Sequence, residues 1–277
     1  MSDTRKAAND WLNPLINPRV MNELSASLQE GGGDAYRFEV PSVLPILPLR
    51  GLVIYPLTAV PIRVGQPRSV RLIDEAVSEN NIIGLVASRD PEIESPSPDE
   101  VYRVGTAAAV HRLAKAPDGT LTLIVQGLVR IRIEEFIQES PYLLARVKTI
   151  PETTDRTLET EALRRSLVDH FSHLIELSPT IPEEMGDMLS NIDDPLQVTY
   201  AVANHIDNEL EEAQEILEMD LLSDKMHRLL NIMAQEVEVL ELGRKIKSEA
   251  QSEMQERQRE YFLREQKKAI QRELGEA

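Results

Sequence analysis

The stretch LPILPLRGLVIYPLTAVPIRVGQPRSVRLIDEAV, residues 44–77, holds two kinds of pattern in one run. Up to Val64 it is short apolar segments broken by Pro45, Pro48, Pro56 and Pro61. VLPILPL and AVPIRV read as extended chain, and because proline has no N–H to give a sheet ladder, they are expected to be edge or irregular strands. From Pro67 the pattern turns helical. Proline suits the first helical position, and Val70, Ile73 and Val77 recur at helical steps with Ala76 beside them. Strands followed by a single helix set the tone for the first half of the chain.

Working outward, more strands appear. NIIGLVA reads as a buried strand, and RDPEIESPSPDE as an acidic, proline-rich loop. VGTAAAVHRLAKA and LTLIVQGLVRIRIEEF flank PDGT, and Asp118-Gly119 between two β-prone runs predicts a hairpin turn. YLLARVKTI closes the set. Several strands with one helix predict a small barrel-like or curved-sheet domain over residues 38–152. Before it, residues 1–37 carry two Asn-Pro breaks and a triple glycine at 31–33. They read as a flexible extension with a glycine hinge, in which Trp11, Leu12, Leu15, Ile16 and Val20 could form a short docking segment.

From about Thr154 the chain is helical. TLETEALRRSLVDHFSHLIEL is amphipathic, PEEMGDMLSNI and DPLQVTYAVANHI open on proline or Asp-Pro, and NELEEAQEILEM follows. These make a bundle over 153–220. A last helix is expected over 221–277, at 1.5 Å per residue about 80 Å long. Leu222, Met226, Leu229, Met233, Val237 and Leu240 predict packing in its first half. After Gly243 the apolar stripe thins to Ile246, Ala250, Met254, Tyr261, Phe262 and Ile270, among pairs such as Glu253/Arg257 and Glu260/Arg264. A helix polar nearly all round is a strut or part of an assembly. The fold class is therefore α+β: a β-rich domain, then an all-α bundle ending in one very long helix.

Composition narrows the function. Hydrophobic residues are 42% and aromatics 4%, so the core is aliphatic. The net charge of -17 arises in residues 151–242, with about 22 acids against about 5 Lys/Arg. That excess opposes nucleic acid and anionic membranes, whose affinity depends on Lys and Arg. Cysteine is absent, which excludes disulfides, thiolate zinc sites and thiol catalysis and suits a cytoplasmic protein. No apolar run is long enough to span a bilayer, and no signal peptide is apparent.

The inventory of catalytic motifs is nearly empty. There is no P-loop, no G-x-S-x-G and no H-E-x-x-H. His170 and His173, with Asp169 and Glu176 nearby, stand three apart, whereas helical zinc pairs stand four apart. His111, His205 and His227 are isolated. No catalytic, cofactor or metal residue is assigned.

The 44–77 stretch strongly resembles the start of the N-terminal domain of bacterial Lon, the ATP-dependent protease. The family's Pro-Leu-Arg stands as Pro48-Leu49-Arg50, its next proline as Pro56 and its Val-Gly as Val64-Gly65. IIGLVASRDPEIESPSPDEVYRVGTAAAV, PDGTLTLIVQGLVRIRI, AQEILEMDLLSDKMHRLL and QREYFLREQKKAIQRELGE are similar to later family segments in the same order. The resemblance runs from about residue 40 to the end, and residues 1–37 have no counterpart in it. It implies a PUA-like β domain, meaning the pseudouridine-synthase-and-archaeosine-transglycosylase kind. It also implies a parent that is a homohexameric, cytoplasmic Ser-Lys protease. ATP and Mg are expected only for the parent's missing modules, which would begin just past Ala277, and this region is expected to have no enzyme activity of its own.

A capture region must offer apolar surface to unfolded clients. The expected source is Ile46, Leu47, Leu49, Leu52, Ile54, Tyr55 and Leu57 in the irregular strands, whose edges could also pair with an extended peptide. The competing reading of these side chains is ordinary core. Met254, Tyr261 and Phe262 are the expected helix-contact or assembly residues. Two other functions stay open at this point. One is a stand-alone adaptor or scaffold with a self-association arm. The other is a nucleic-acid-binding module, which the acidic middle disfavours.

Overall fold

A computed structural model describes residues 39–116, 120–153, 157–178 and 181–273. The 1–37 extension with its docking segment and triple glycine, the Asp118-Gly119 turn and the chain from Leu274 lie outside the described residues. The chain divides into two compact units, one up to Pro151 and one from Glu152 onward.

The first unit has strands β1 (Val43–Leu49), β2 (Ala59–Val64), β3 (Ile82–Ala87), β4 (Val104–Lys115), β5 (Leu121–Gln138) and β6 (Leu143–Ile150), with helix α1 (Pro67–Glu79) between β2 and β3. The sheet order is β2-β5-β4-β3-β1-β6, and β5 pairs with β6 as well. Five strands therefore close a ring, with β2 added outside it. β5 serves both neighbours because it is 18 residues long: Leu121–Gln126 pairs with β2 and Arg130–Gln138 with β6.

Closure buries two layers. Leu44, Ile46, Ile82, Val86, Ala107, Ile131, Ile133, Leu143, Ala145 and Val147 belong to one core, to which every ring strand contributes. Leu47, Leu49, Ile83, Leu85, Leu121, Leu123 and Val125 point the other way, into a second core shared with Leu72, Ile73 and Ala76 of α1. β3 is buried at all six positions, as its unbroken apolar run requires. The buried face of α1 centres on Leu72, Ile73 and Ala76, while Val70 is half-buried and Val77 exposed. The Tyr142 hydroxyl donates to Glu75 Oε2 at 2.5 Å and Arg71 Nε to Glu75 Oε1 at 2.9 Å. These two donors, Tyr142 first, hold the Glu75 carboxyl below its ordinary value.

One expectation is corrected here. β2 is an edge strand, but β1 lies inside the sheet between β3 and β6. Its prolines are tolerated because its two pairings cover different halves: β6 pairs with Val43–Ile46 and β3 with Ile46–Leu49. Backbone groups alternate sides along a strand. Ser42 O accepts from Val147 of β6, and Leu49 O accepts from Ser88 beyond β3. By that alternation Pro45 turns its nitrogen toward β3, which has not yet begun to pair, and Pro48 turns its nitrogen toward β6, which has already left. Neither proline costs a ladder bond.

The second unit holds α2 (Leu158–Leu177), α3 (Glu184–Ser190), α4 (Pro195–His205), α5 (Leu210–Glu218) and α6 (Leu222–Glu273). The helix starts are written in the sequence. Thr157 and Thr160 exchange hydrogen bonds in a capping box on α2. Asp194 accepts from Leu196 N ahead of Pro195 on α4. Leu163, Leu167, Phe171 and Leu174 of α2, Val198 and Val202 of α4, and Ile216 and Leu217 of α5 are buried, as are Leu222, Met226, Leu229, Ile232 and Met233 of α6. Val237 and Leu240 are half-buried, so the packed part of α6 ends there. Lys225 is also fully buried. Its Nζ donates to the Ile216 and Leu217 carbonyls at 2.8 and 3.4 Å, lies 4.0 Å from Glu152 Oε2 and sits over the Tyr200 ring. The end of α5 thus receives the cation its unpaired carbonyls favour.

On α2, Arg164 and then Arg165 pull the Glu161 carboxyl from 4.5 down to about 2. A folded value below the unfolded one means the contribution is complete above about pH 4.5 and is lost as pH falls toward about 2. Acid titration followed by helix circular dichroism should therefore fall less steeply in that window for Glu161→Gln than for the parent. The contrast should shrink at high salt, because Arg165 is exposed and Glu161 partly so.

Candidate client-binding surface

The segment between β1 and β2, residues 50–58, has no strand of its own but is fastened to the barrel. Arg50 Nε donates to Pro91 O at 2.6 Å, in the loop between β3 and β4. In that same loop the backbone and hydroxyl of Ser97 donate to Glu100 and lower its carboxyl pKa. Thr106 of β4 donates its hydroxyl to Ile54 O at 2.6 Å, and Thr58 donates to Tyr55 O at 2.7 Å. Leu57 N donates to Gly127 O at 2.9 Å, while Gly127 N donates to Thr58 O at 2.8 Å. Gly127 has to be glycine for steric reasons, since a Cβ there would stand 2.2 Å from Tyr55 O.

This docking decides where the expected residues go. Ile46, Leu47, Leu49, Ile54 and Tyr55 are all buried, with Tyr55 only 1% exposed. Each such side chain gains ~1.5–3 kcal/mol by burial. Turning all five outward would cost about as much as a whole domain's stability of ~5–15 kcal/mol. The expected seven-residue surface therefore reduces to Leu52, which is 37% exposed, and Leu57, which is half-buried. Leu57 has φ 61, a left-handed conformation unusual for leucine and held by the Gly127 clamp.

The free edge of β2 is a poor place to add a strand. Thr58 faces β5, so by alternation Val60, Ile62 and Val64 face β5 as well, and Ala59, Pro61 and Arg63 face away. Pro61 thus stands mid-edge on the outward side, where it removes a donor.

On α6 every residue from Glu241 to Gln271 is exposed. Met254, Tyr261 and Phe262 are 60%, 70% and 62% exposed. At about 100° per residue, Val239, Leu242, Ile246, Ala250, Met254 and Tyr261 fall within an arc of about 120°. Phe262 lies outside it. The stripe contains Val239 and Leu242, which sequence reading passed over. It is turned about a quarter of the circumference from the bundle-facing line through Leu222, Met226 and Leu229.

Three of the histidines are engaged separately. His170 Nδ1 lies 2.8 Å from Ser166 O, and His173 lies between Glu176 and Glu241. His227 lies 3.7 Å from Glu159. Among the described residues no group of three His, Asp or Glu could hold a metal ion. No described helix is long and apolar enough to cross a membrane.

The first unit is thus a five-strand ring with a non-strand segment clamped to it, and the second is a separate helical unit. The family described as "ATP-dependent protease La (LON) substrate-binding domain" matches residues 43–235, and the chain belongs to that family. It is 41% identical over 238 residues to the Lon protease of Dictyoglomus thermophilum, covering 86% of this chain and 30% of that one. To Lon protease 2 of Thermus thermophilus it is 36% identical over 235 residues, with coverages of 85% and 29%. The chain thus spans about a third of the length of these relatives. Among solved structures, the N-terminal domain of Mycobacterium avium complex Lon protease superposes with TM-score 0.56 at 18% identity, over 69% of this chain and 98% of that one. The Lon N-terminal domain protein of Xanthomonas campestris gives 0.51 at 18%, with the same coverages. Both share the fold.

Because the clamp depends on Gly127, Gly127→Ala should destabilise the barrel by ~1–3 kcal/mol, within the usual range for a core clash. Urea unfolding would measure the loss. Hydrogen exchange should rise first at the amides of Leu57 and residue 127.

Proposed function

We propose that this chain is the client-capture and assembly region of an ATP-dependent protease that unfolds and degrades misfolded and regulatory proteins. Unfolding and peptide cleavage belong to modules outside this chain. The observation that carries the reading is the clamped 50–58 segment, which holds Leu52 and the strained Leu57 at the surface of a rigid barrel. A preformed apolar contact costs an unfolded client less ordering than a mobile one. Membership in a family described as substrate-binding supports it. A single contact of this size is weak, so useful affinity comes from several copies acting together. The exposed stripe on α6 suits that role as a self-association face, and a homohexamer is the assembly this reading expects.

Two experiments test it. Fluorescence anisotropy of the whole chain against one labelled protein, folded and permanently unfolded, should show binding of the unfolded form alone. Leu52→Glu should weaken that binding at least severalfold, and equal binding of both forms would overturn capture. Sedimentation velocity should show Met254→Glu and Tyr261→Glu dissociating the assembly, while Phe262→Glu, outside the arc, leaves it intact. An assembly indifferent to all three would remove the stripe from the interface.

A further inference from the structure

On the outer face of the barrel, Arg132 of β5 is registered directly opposite Lys148 of β6. Directly opposed residues of antiparallel strands share a face with Cα atoms about 4.5–5.5 Å apart, and like charges there destabilise the pairing. The next pair along shows the usual solution: Arg146 is registered opposite Glu135, and Arg146 Nη1 lies 2.8 Å from Glu135 Oε2. Arg132 and Lys148 are both exposed, and among the described residues neither side chain has a hydrogen bond or ion pair. Glu134, the extra residue of the adjoining bulge, is exposed and pairs with neither. Among the described residues the two opposed cations thus stand without an anion.

Their position is informative. On the same face, one cross-strand row away, Thr106 is registered with Arg130 and Arg130 with Ile150. Thr106 is the residue whose hydroxyl holds Ile54 O in the clamped segment. Arg132 lies two residues further along β5, about 7 Å away. The cation pair therefore lies one row beyond the strand residue that anchors Ile54 of the clamped segment.

We propose that Arg132 and Lys148 together take a carboxylate of the bound client, so that this surface selects apolar segments carrying an acidic side chain. The inference rests on the capture reading above. A carboxylate has two acceptor oxygens and can accept from a guanidinium and an ammonium at once. Binding it relieves the repulsion between the two cations, whereas a neutral amide does not.

The test uses two labelled, unstructured apolar peptides that differ only at one central residue, Glu or Gln, titrated against the whole chain by anisotropy. The Glu peptide should bind about threefold to fivefold more tightly, as one exposed ion pair allows. The preference should disappear in high salt and in the Arg132→Ala/Lys148→Ala double variant, which should still bind the Gln peptide normally. Lys148→Glu supplies the missing anion in place. It should abolish the preference while its Tm stays level or rises. Equal affinities for the two peptides in the parent, or a preference that survives the double variant, would overturn the assignment while leaving capture standing. Failure of both peptides to bind the parent would remove capture and this inference together.

Discussion

The barrel depends on one strand having a different partner at each end. β1 is the only link between β3 and β6, so without it the ring opens and both cores lose a wall. Seven residues suffice because Ile46 is the single position where both pairings meet. The prolines on either side fall where no neighbour asks for an N–H. A proline moved by one residue would meet a donor requirement and cost a ladder bond.

The same economy shapes the surface. The segment after β1 carries more apolar residues than a loop needs; Val53, Ile54 and Tyr55 are buried, Ile54 in the core that α1 covers. What reaches solvent is small and held rigidly, through Thr106, Gly127 and Arg50. The charge of the chain is divided as unevenly as its apolar surface. Residues 151–242 hold the acidic excess, so the barrel is close to neutral, and a few uncompensated cations on it stand out electrostatically.

Much of the architecture was legible because it follows from local rules. Pro67 and the steps after it marked α1, Asp-Pro marked the start of α4, and Pro61 marked β2 as an edge. The failures were non-local. The rule that proline belongs at edges is silent about which side of a strand its nitrogen faces, and in β1 that side is set by partners 40 and 100 residues away. The burial of Ile54 and Tyr55 depends on the backbone of Gly127. An isolated glycine inside the apolar run of β5 was the available sign of a close approach. The Arg132–Lys148 pair could not be read at all, since it exists only once the register of two strands is fixed.

Barrel closure also sets the order in which the chain can fold during synthesis. β1 leaves the ribosome before the strands it pairs with, and Val43 must wait for Arg146. Pairings of such separation form slowly, so VLPILPL has no partner until β3 is made, and its first half stays an open apolar edge until β6 follows. Its two prolines interrupt the donor row that a stray strand would need. The residues that fit β1 between its final neighbours are thus the ones that make it a poor template while it has none.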